Sequence, residues 1–488
     1  MIKIVNEFFK NLNQAGIRYC HWKSNSELER TFAGLNDIDL LVDRSQYDKI
    51  QNLVSIMGFK RVIAPKFKSY MGIENYLVNS AKEGVIVHLH LHYQLILGEK
   101  TIKGYHLPYE RQLLKRSEVN DLGVRIPLPE DEIIILISRV FIKFGLVSFL
   151  KKIIRNEKTY FPKHIIEEFN FLRSKIELSR ADKVRNELLP SLNIENYNNC
   201  INNLDKLKIL KILKIRRLIQ SDFRNYSRYD RRFTFFKIYY TGFIRRIFAL
   251  NNLEQCSKKV LETGGVSIAL MGIDGAGKST VIKKLYNWLK PQLKVYSFYL
   301  GSGDGKKMIM LSIFNYFLNK YKFSTYKKEK SGRDTKNSND NFLVYFLKSI
   351  RIYLQVINKK RVLKKSIWKR NQGNIVIYDR FPQNYFRGIN DGPKTILKNN
   401  VLSKAVYQWE IKQYAIFSKQ KPDLTFYLKI PVEISLARKD ENDKTRMIEK
   451  KRVFDQMFID TGTIIIIDAT QPLELVLMEI KSAIWSKI

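Results

Sequence analysis

The sequence predicts an α/β protein in three parts: an α+β domain over residues 1–130, a helical region over 131–258, and a doubly wound parallel sheet over 264–488. Three observations predict it. Short apolar runs alternate with helical stretches from Val266 to the end, which is the pattern of a parallel sheet with covering helices. Long apolar periodicities with few Gly or Pro fill the middle. Short strand-like and helical pieces alternate before residue 130 around an acidic IDLLV run. A chain of 488 residues exceeds one ordinary core, so two or three domains are expected.

The C-terminal part carries the clearest chemistry. Val266 to Leu270 is a buried-strand candidate, and GIDGAGKST follows it before the helical VIKKLYNWLK. Gly272, Gly277, Lys278 and Ser279 satisfy the phosphate-loop spacing in its required strand–loop–helix context. Gly275 and Gly277 let the backbone turn tightly, so the amides from Gly272 through Asp274, Ala276 and Thr280 can point inward at phosphate oxygens. The helix that follows presents its positive end. Lys278 is expected to reach the β- and γ-phosphates of ATP, and the Ser279 hydroxyl to coordinate Mg²⁺.

A second strand candidate, Ile375 to Tyr378, ends at Asp379 and Arg380. Ligands in open α/β sheets lie beyond the carboxyl ends of the strands. There Asp379 can hold Mg²⁺ or orient an acceptor, and the planar fork of Arg380 can clamp a phosphate. A third strand, Leu424 to Leu428, precedes a basic stretch with Arg438, Lys439, Arg446, Lys450, Lys451 and Arg452. These suit a lid that stabilises charge on a transferred group, and equally a solvated charged helix. The last strand ends at Asp468 in IDAT.

Together the GIDGAGKST loop, the Asp379-Arg380-Phe381 triplet, the basic lid and the terminal IDAT resemble the thymidylate kinase family of nucleoside-monophosphate kinases over 264–488. The resemblance implies that the loop backbone, Lys278 and Ser279 hold ATP and Mg²⁺. It also implies that Asp274 contacts the acceptor's sugar and that Arg380 binds the acceptor's phosphate. One segment departs from the family. Where an Arg-Glu-Pro-Gly-Gly type sequence usually helps to hold thymidylate, this chain reads YSFYLGSGDGKK, whose glycines, Lys306 and Lys307 can still cradle an anion. The expected activity is therefore transfer of the γ-phosphoryl of ATP to a nucleotide or other phosphate-bearing acceptor. The alternatives are a kinase of a sugar or lipid-linked intermediate in surface polysaccharide synthesis, and a non-catalytic nucleotide-binding scaffold.

In the N-terminal part, Asp37 and Asp39 stand two apart in IDLLV, so a strand places both carboxylates on one face. Such a pair can hold Mg²⁺. With HWKS upstream, the segment is similar to nucleotidyltransferases of the polymerase-β-like class, which implies a triphosphate-binding turn at Lys23 and Ser24. That class carries a third carboxylate before a Leu-His pair. Here VIVHLHLHYQL offers His88, His90 and His92 at alternate positions, with His90 in the acid's place. Three imidazoles on one face can ligate a transition metal or be half-buried polar residues.

The charge and targeting signals are broader. The net charge of +39 favours acidic partners without choosing among them. Residues 206–246 interleave Lys and Arg with aromatics, which suits nucleic acid, an anionic membrane surface, or a helical bundle with a basic outer face. Cys20, Cys200 and Cys256 have no disulfide or metal spacing, and the opening residues lack the order of a secretory signal. The stretch Ile133 to Leu150 is interrupted by Arg139 and Lys143 and reads as a buried helix. A cytoplasmic protein is expected, with a homo-oligomer open. Residues 324–341 are polar and read as an exposed loop.

Overall fold

The computed structural model describes residues 2–66, 68–98, 102–143, 160–230, 233, 240, 258–301, 338–394, 401–438, 444–459 and 464–488. Lys306, Lys307, Lys439, Cys256, all of 324–337 and all of 231–246 except Phe233 and Tyr240 therefore lie outside the described residues, while 338–341, expected as the end of an exposed loop, instead open the helix Ser338–Arg370. The chain divides into two compact units, Met1–Lys259 and Val260–Ile488.

The first unit is built on a mixed sheet. Tyr19–His21 runs antiparallel to Ile38–Val42, which runs parallel to Val85–His92; Ile73–Ser80 and Lys60–Ile63 continue the sheet antiparallel. Alternation assigns its two faces. Ile38, Leu40 and Val42, with Val87, Leu89 and Leu91, pack with Phe8, Phe9, Ile50 and Val54 of the helices Lys3–Gln14 and Tyr47–Ile56. Asp39 on one strand, with Asp37 just before its first residue, and His88, His90 and His92 on its neighbour turn to the opposite face. The helix Pro129–Lys143 runs along the expected buried stretch, with residues 144–150 outside the described part. Its Ile133 to Ile137 share a core with Cys20, Trp22 and Leu41 and with the helices from Lys163 to Asp222. In the basic helix Ile209–Asp222, Ile212, Ile215 and Ile219 are the buried stripe.

The second unit is an all-parallel five-stranded sheet in the order Val295–Tyr299, Ile375–Asp379, Ser267–Met271, Leu424–Lys429, Ile464–Asp468. On one face, Ala269, Val376 and Tyr378 pack against Val356, Leu363, Tyr414 and Phe417 from the helices Ser338–Arg370 and Val401–Lys419. The alternate residues Ile268, Leu270 and Ile377 are equally buried, so both faces are covered, as near-continuous apolar strands require. The helices Lys278–Leu289 and Leu473–Lys487 meet at Trp288 and Trp485, whose ring centroids are 6.4 Å apart. This arrangement puts the ends of three central strands, Met271, Asp379 and Lys429, on one side of the sheet, where the loops converge. Among the described residues no helix is long and apolar enough to cross a membrane.

Candidate functional site

The loop after Met271 is shaped by two glycines. Gly272 has φ +147°, and a Cβ there would stand 2.8 Å from the Leu428 carbonyl oxygen. Gly275 has φ +83°, and its Cβ would stand 2.7 Å from the Ser435 carbonyl oxygen. The loop is thus pressed against the strand Leu424–Lys429 and the helix Val432–Arg438, and the Ser435 hydroxyl donates to the Asp274 carbonyl. Lys278 begins the following helix, and its ammonium donates to the carbonyls of Gly272 at 2.9 Å and Ile273 at 2.8 Å. Burial, with the Arg380 guanidinium nearby, pulls that ammonium down to about 8. The nearby Asp274, Asp379 and Asp391 carboxylates pull it back up without offsetting the burial, so the ammonium is held on main-chain carbonyls and free to turn to a bound anion.

Arg380 leaves the strand Ile375–Asp379 with φ +68°, a left-handed conformation that costs an arginine about 1–3 kcal/mol. The turn aims its guanidinium at Asp274, with Nη2 at 2.7 Å from Oδ1, and places Nη1 3.7 Å from Asp391. Lys450, on the helix Lys444–Ile459, takes the other Asp274 oxygen at 2.5 Å. Burial pushes the Asp274 carboxyl up, but the Lys450 hydrogen bond and the Arg380 charge outweigh it and hold the carboxyl well below the usual range. Burial pushes the Asp379 carboxyl up, against the pull of Lys278 and Arg380.

Two cavities meet at this pair. A larger one, of about 610 Å³, is lined by the loop from Asp274 to Thr280, by Asp379, Arg380 and Arg438, and by Gln471, Leu473 and Val476 after the last strand. A smaller one, about 30 Å³, lies between Gly272, Asp274, Arg380, Asn390, Asp391 and Lys450. Asp274 and Arg380 border both. The sequence-predicted Gly275, Ala276, Gly277, Lys278, Ser279, Thr280, Asp379, Arg380 and Arg438 thus line one cavity, and Gly272 borders the other. Arg446 falls on the helix Lys444–Ile459, but its side chain is outside the described part. Sequence reasoning missed Asn390, Asp391 and Ser435, and did not separate Lys450 from the other lid cations. The spacing of Lys450 from Ser435 carries no motif, so only the fold brings both to Asp274.

The first unit has its own polar cluster. Asp39 Oδ1 takes the Lys23 ammonium at 2.7 Å, with His90 Nδ1 at 3.3 Å and His92 Nε2 at 3.5 Å. Burial pushes the Asp39 carboxyl up, but the Lys23 charge and the two histidines outweigh it and hold it well below the usual range. Asp37 has a different partner, His88 Nδ1 at 2.9 Å, and His88 Nε2 faces Asn75 Oδ1 at 3.1 Å. Each carboxylate of the predicted pair therefore has its own partners. Ser24, in the predicted triphosphate turn, is left-handed at φ +60°, and its amide donates to Glu168 at 3.1 Å. A cavity of about 350 Å³ beside the cluster is lined by Trp22, Asp37, Tyr70 and His90 and by six cations, Lys23, Lys68, Lys103, Arg139, Lys143 and Lys259. Burial pulls the Lys103 ammonium down to about 7, with the Lys23 charge adding to the effect.

The second unit is an α/β domain with a phosphate loop at the carboxyl end of its central strand. The model of the thymidylate kinase family matches residues 270–480. The chain is 29% identical over 228 residues to the uncharacterized ATP-binding protein YghS of Escherichia coli (strain K12), spanning 45% of this chain and 93% of that protein. It is 26% identical over 223 residues to YghR of the same strain, another uncharacterized ATP-binding protein, spanning 44% and 86%. A thymidylate kinase of Leuconostoc mesenteroides is 29% identical over 224 residues, spanning 43% of this chain and 91% of its own length. These matches support a thymidylate kinase-like nucleotide kinase domain.

Proposed function

We propose that the second unit transfers the γ-phosphoryl group of ATP to a phosphate-bearing acceptor, with a nucleoside monophosphate of the thymidylate kind as the leading candidate. One observation carries this reading: the phosphate loop and a second, smaller cavity share Asp274 and Arg380 as a common wall. A donor triphosphate in the loop and an acceptor on the Lys450 side would then meet across that wall once the smaller cavity, which at about 30 Å³ holds no more than a water or two as it stands, opens around the acceptor. Chemistry of this kind asks the protein for positioning and charge neutralisation rather than covalent work. The Lys278 ammonium would leave its two loop carbonyls for the β- and γ-phosphate oxygens. Arg380 would clamp the acceptor phosphate, and Asp274, freed from Lys450 or Arg380, would accept from an acceptor hydroxyl.

Ser279 and Asp379 are oxygen donors of the hard type that Mg²⁺ prefers, and both line the larger cavity. These two residues would hold the ion, which would shield phosphate charge there. Arg438, at the end of Val432–Arg438, is placed to add positive charge at the same cavity. The test is transfer of labelled γ-phosphate from ATP to a panel of monophosphates by wild type and Lys278→Ala. Equal turnover by the two proteins would sink the proposal.

A second reading, a kinase of a sugar or lipid-linked intermediate, draws on the smaller cavity. Its polar lining of Asp274, Asn390 and Asp391 suits hydroxyl groups, and the segment that usually holds thymidylate reads differently here. A response to sugars with none to thymidylate in the same panel would select it. For residues 1–130 we keep the nucleotidyltransferase-like reading. It is supported by Asp37 and Asp39 sharing one sheet face and by the cationic cavity that Asp37 borders.

A further inference from the structure

The face of the first sheet carries a group of donors that the phosphotransfer reading does not use. Asp39 is in parallel register with His90, and His92 follows on the same face. One donor atom from each of the three lies within 4.8 Å of the others. Ligands about 2.1 Å from one tetrahedral ion stand about 3.4 Å apart, so closure asks for side-chain movement of about an ångström and a half at most. His92 supplies the independent sign of a ligand. It is fully buried, its Nδ1 has no hydrogen-bond partner, and its Nε2 reaches Asp39 Oδ1 only at the outer limit of a hydrogen bond. Buried polar atoms are rarely left so, because each orphan costs about 1–3 kcal/mol. Its Nε2 nonetheless faces Asp39 Oδ1 at 3.5 Å.

We propose that Asp39, His90 and His92 form a binding site for one divalent transition-metal ion of the Zn²⁺ or Co²⁺ class. Two imidazoles and one carboxylate favour such ions over Mg²⁺, which takes oxygen ligands. Asp37 is outside the set because His88 holds it. The site takes one residue of the expected Asp37–Asp39 pair and reads across two strands. Lys23 holds the Asp39 oxygen that the ion would take. Its ammonium neutralises Asp39 at 2.7 Å, and its flexible stem is 18% exposed, so it can swing into the cavity that it also lines. Metal and ammonium therefore exclude each other. This site stands independently of the chemistry proposed for the second unit.

The experiment titrates the full metal-free chain, without nucleotide, with Co²⁺ and Zn²⁺. Calorimetry gives affinity, and the visible Co²⁺ bands report nitrogen ligation. We expect one ion per chain, a loss of about tenfold or more in His90→Gln, and tighter binding in Lys23→Met, where the competing ammonium is gone. His90 is 26% exposed, so its replacement leaves the core packing in place, and thermal melts verify that each variant folds. Absence of saturable binding overturns the proposal. So does equal affinity of wild type and His90→Gln, or Mg²⁺ competing on equal terms with Zn²⁺. Should His90→Gln melt early, Lys23→Met decides alone: unchanged or weaker binding contradicts the competition.

Discussion

Each unit of this molecule sets a lysine beside a carboxylate in a cationic cavity, yet the two are built from different materials. In the second unit the lysine rests on main-chain carbonyls, and the loop around it is held by glycines that only a fixed spacing can supply. In the first unit the lysine rests on Asp39, and the surrounding groups are side chains contributed by separate strands. A main-chain site tolerates little sequence change and announces itself. A side-chain site can be rewritten one residue at a time.

The comparison makes the second unit sensitive at a few positions. Arg380→Ala is expected to lower acceptor kcat/KM by about a hundredfold to a thousandfold while leaving ATP affinity nearly unchanged, as steady-state kinetics against both substrates will show. Gly275→Ala places a methyl 2.7 Å from the Ser435 carbonyl in a left-handed backbone. It is expected to cost on the order of a hundredfold in turnover and to lower the melting temperature of that unit. If it is silent, the loop is not built by main-chain contact. Lys450→Met removes one of the two cations on Asp274. It is expected to change acceptor KM by about tenfold or less with kcat held, an effect that an uninvolved surface lysine would not produce.

How far the sequence shows this follows the same division. Four of the five strands of the second sheet are marked in the sequence by apolar runs, and GIDGAGKST and Asp379-Arg380 mark the larger cavity's wall; the edge strand Val295–Tyr299 is not marked, because VYSFY is mostly half-buried or exposed and lacks a continuous apolar run. Asn390, Asp391 and Ser435 were not legible, because they reach the site by the packing of loops and helices that share no local spacing with it. In the first unit the alternation of VIVHLHLH foretold one shared face. It did not foretell that His88 would take Asp37 and leave His90 and His92 to Asp39, which depends on strand register. Lys450 was one cation among six until the fold brought it to Asp274.

Proton linkage separates the units with a smaller effect. Burial pulls His88 down to about 4, against the pull of Asp37, while the unfolded imidazole titrates near 6.5. Between those values the unfolded chain binds the extra proton, so the first unit is expected to lose stability as pH falls from 6.5 toward 4. Denaturant melts across that range check it, and His88→Asn should flatten the slope. In the second unit, Lys278 at about 8 must be charged to meet phosphate. ATP affinity should therefore weaken as pH rises above 8, with proton uptake on binding near pH 8.

The most direct test is calorimetric titration of a non-hydrolysable ATP analogue with Mg²⁺ into wild type and Lys278→Ala. The account predicts one saturable site per chain in wild type and a large loss of affinity in the variant, with the fold intact by thermal melt. Equal affinity in the two proteins, or no binding by wild type, would contradict it.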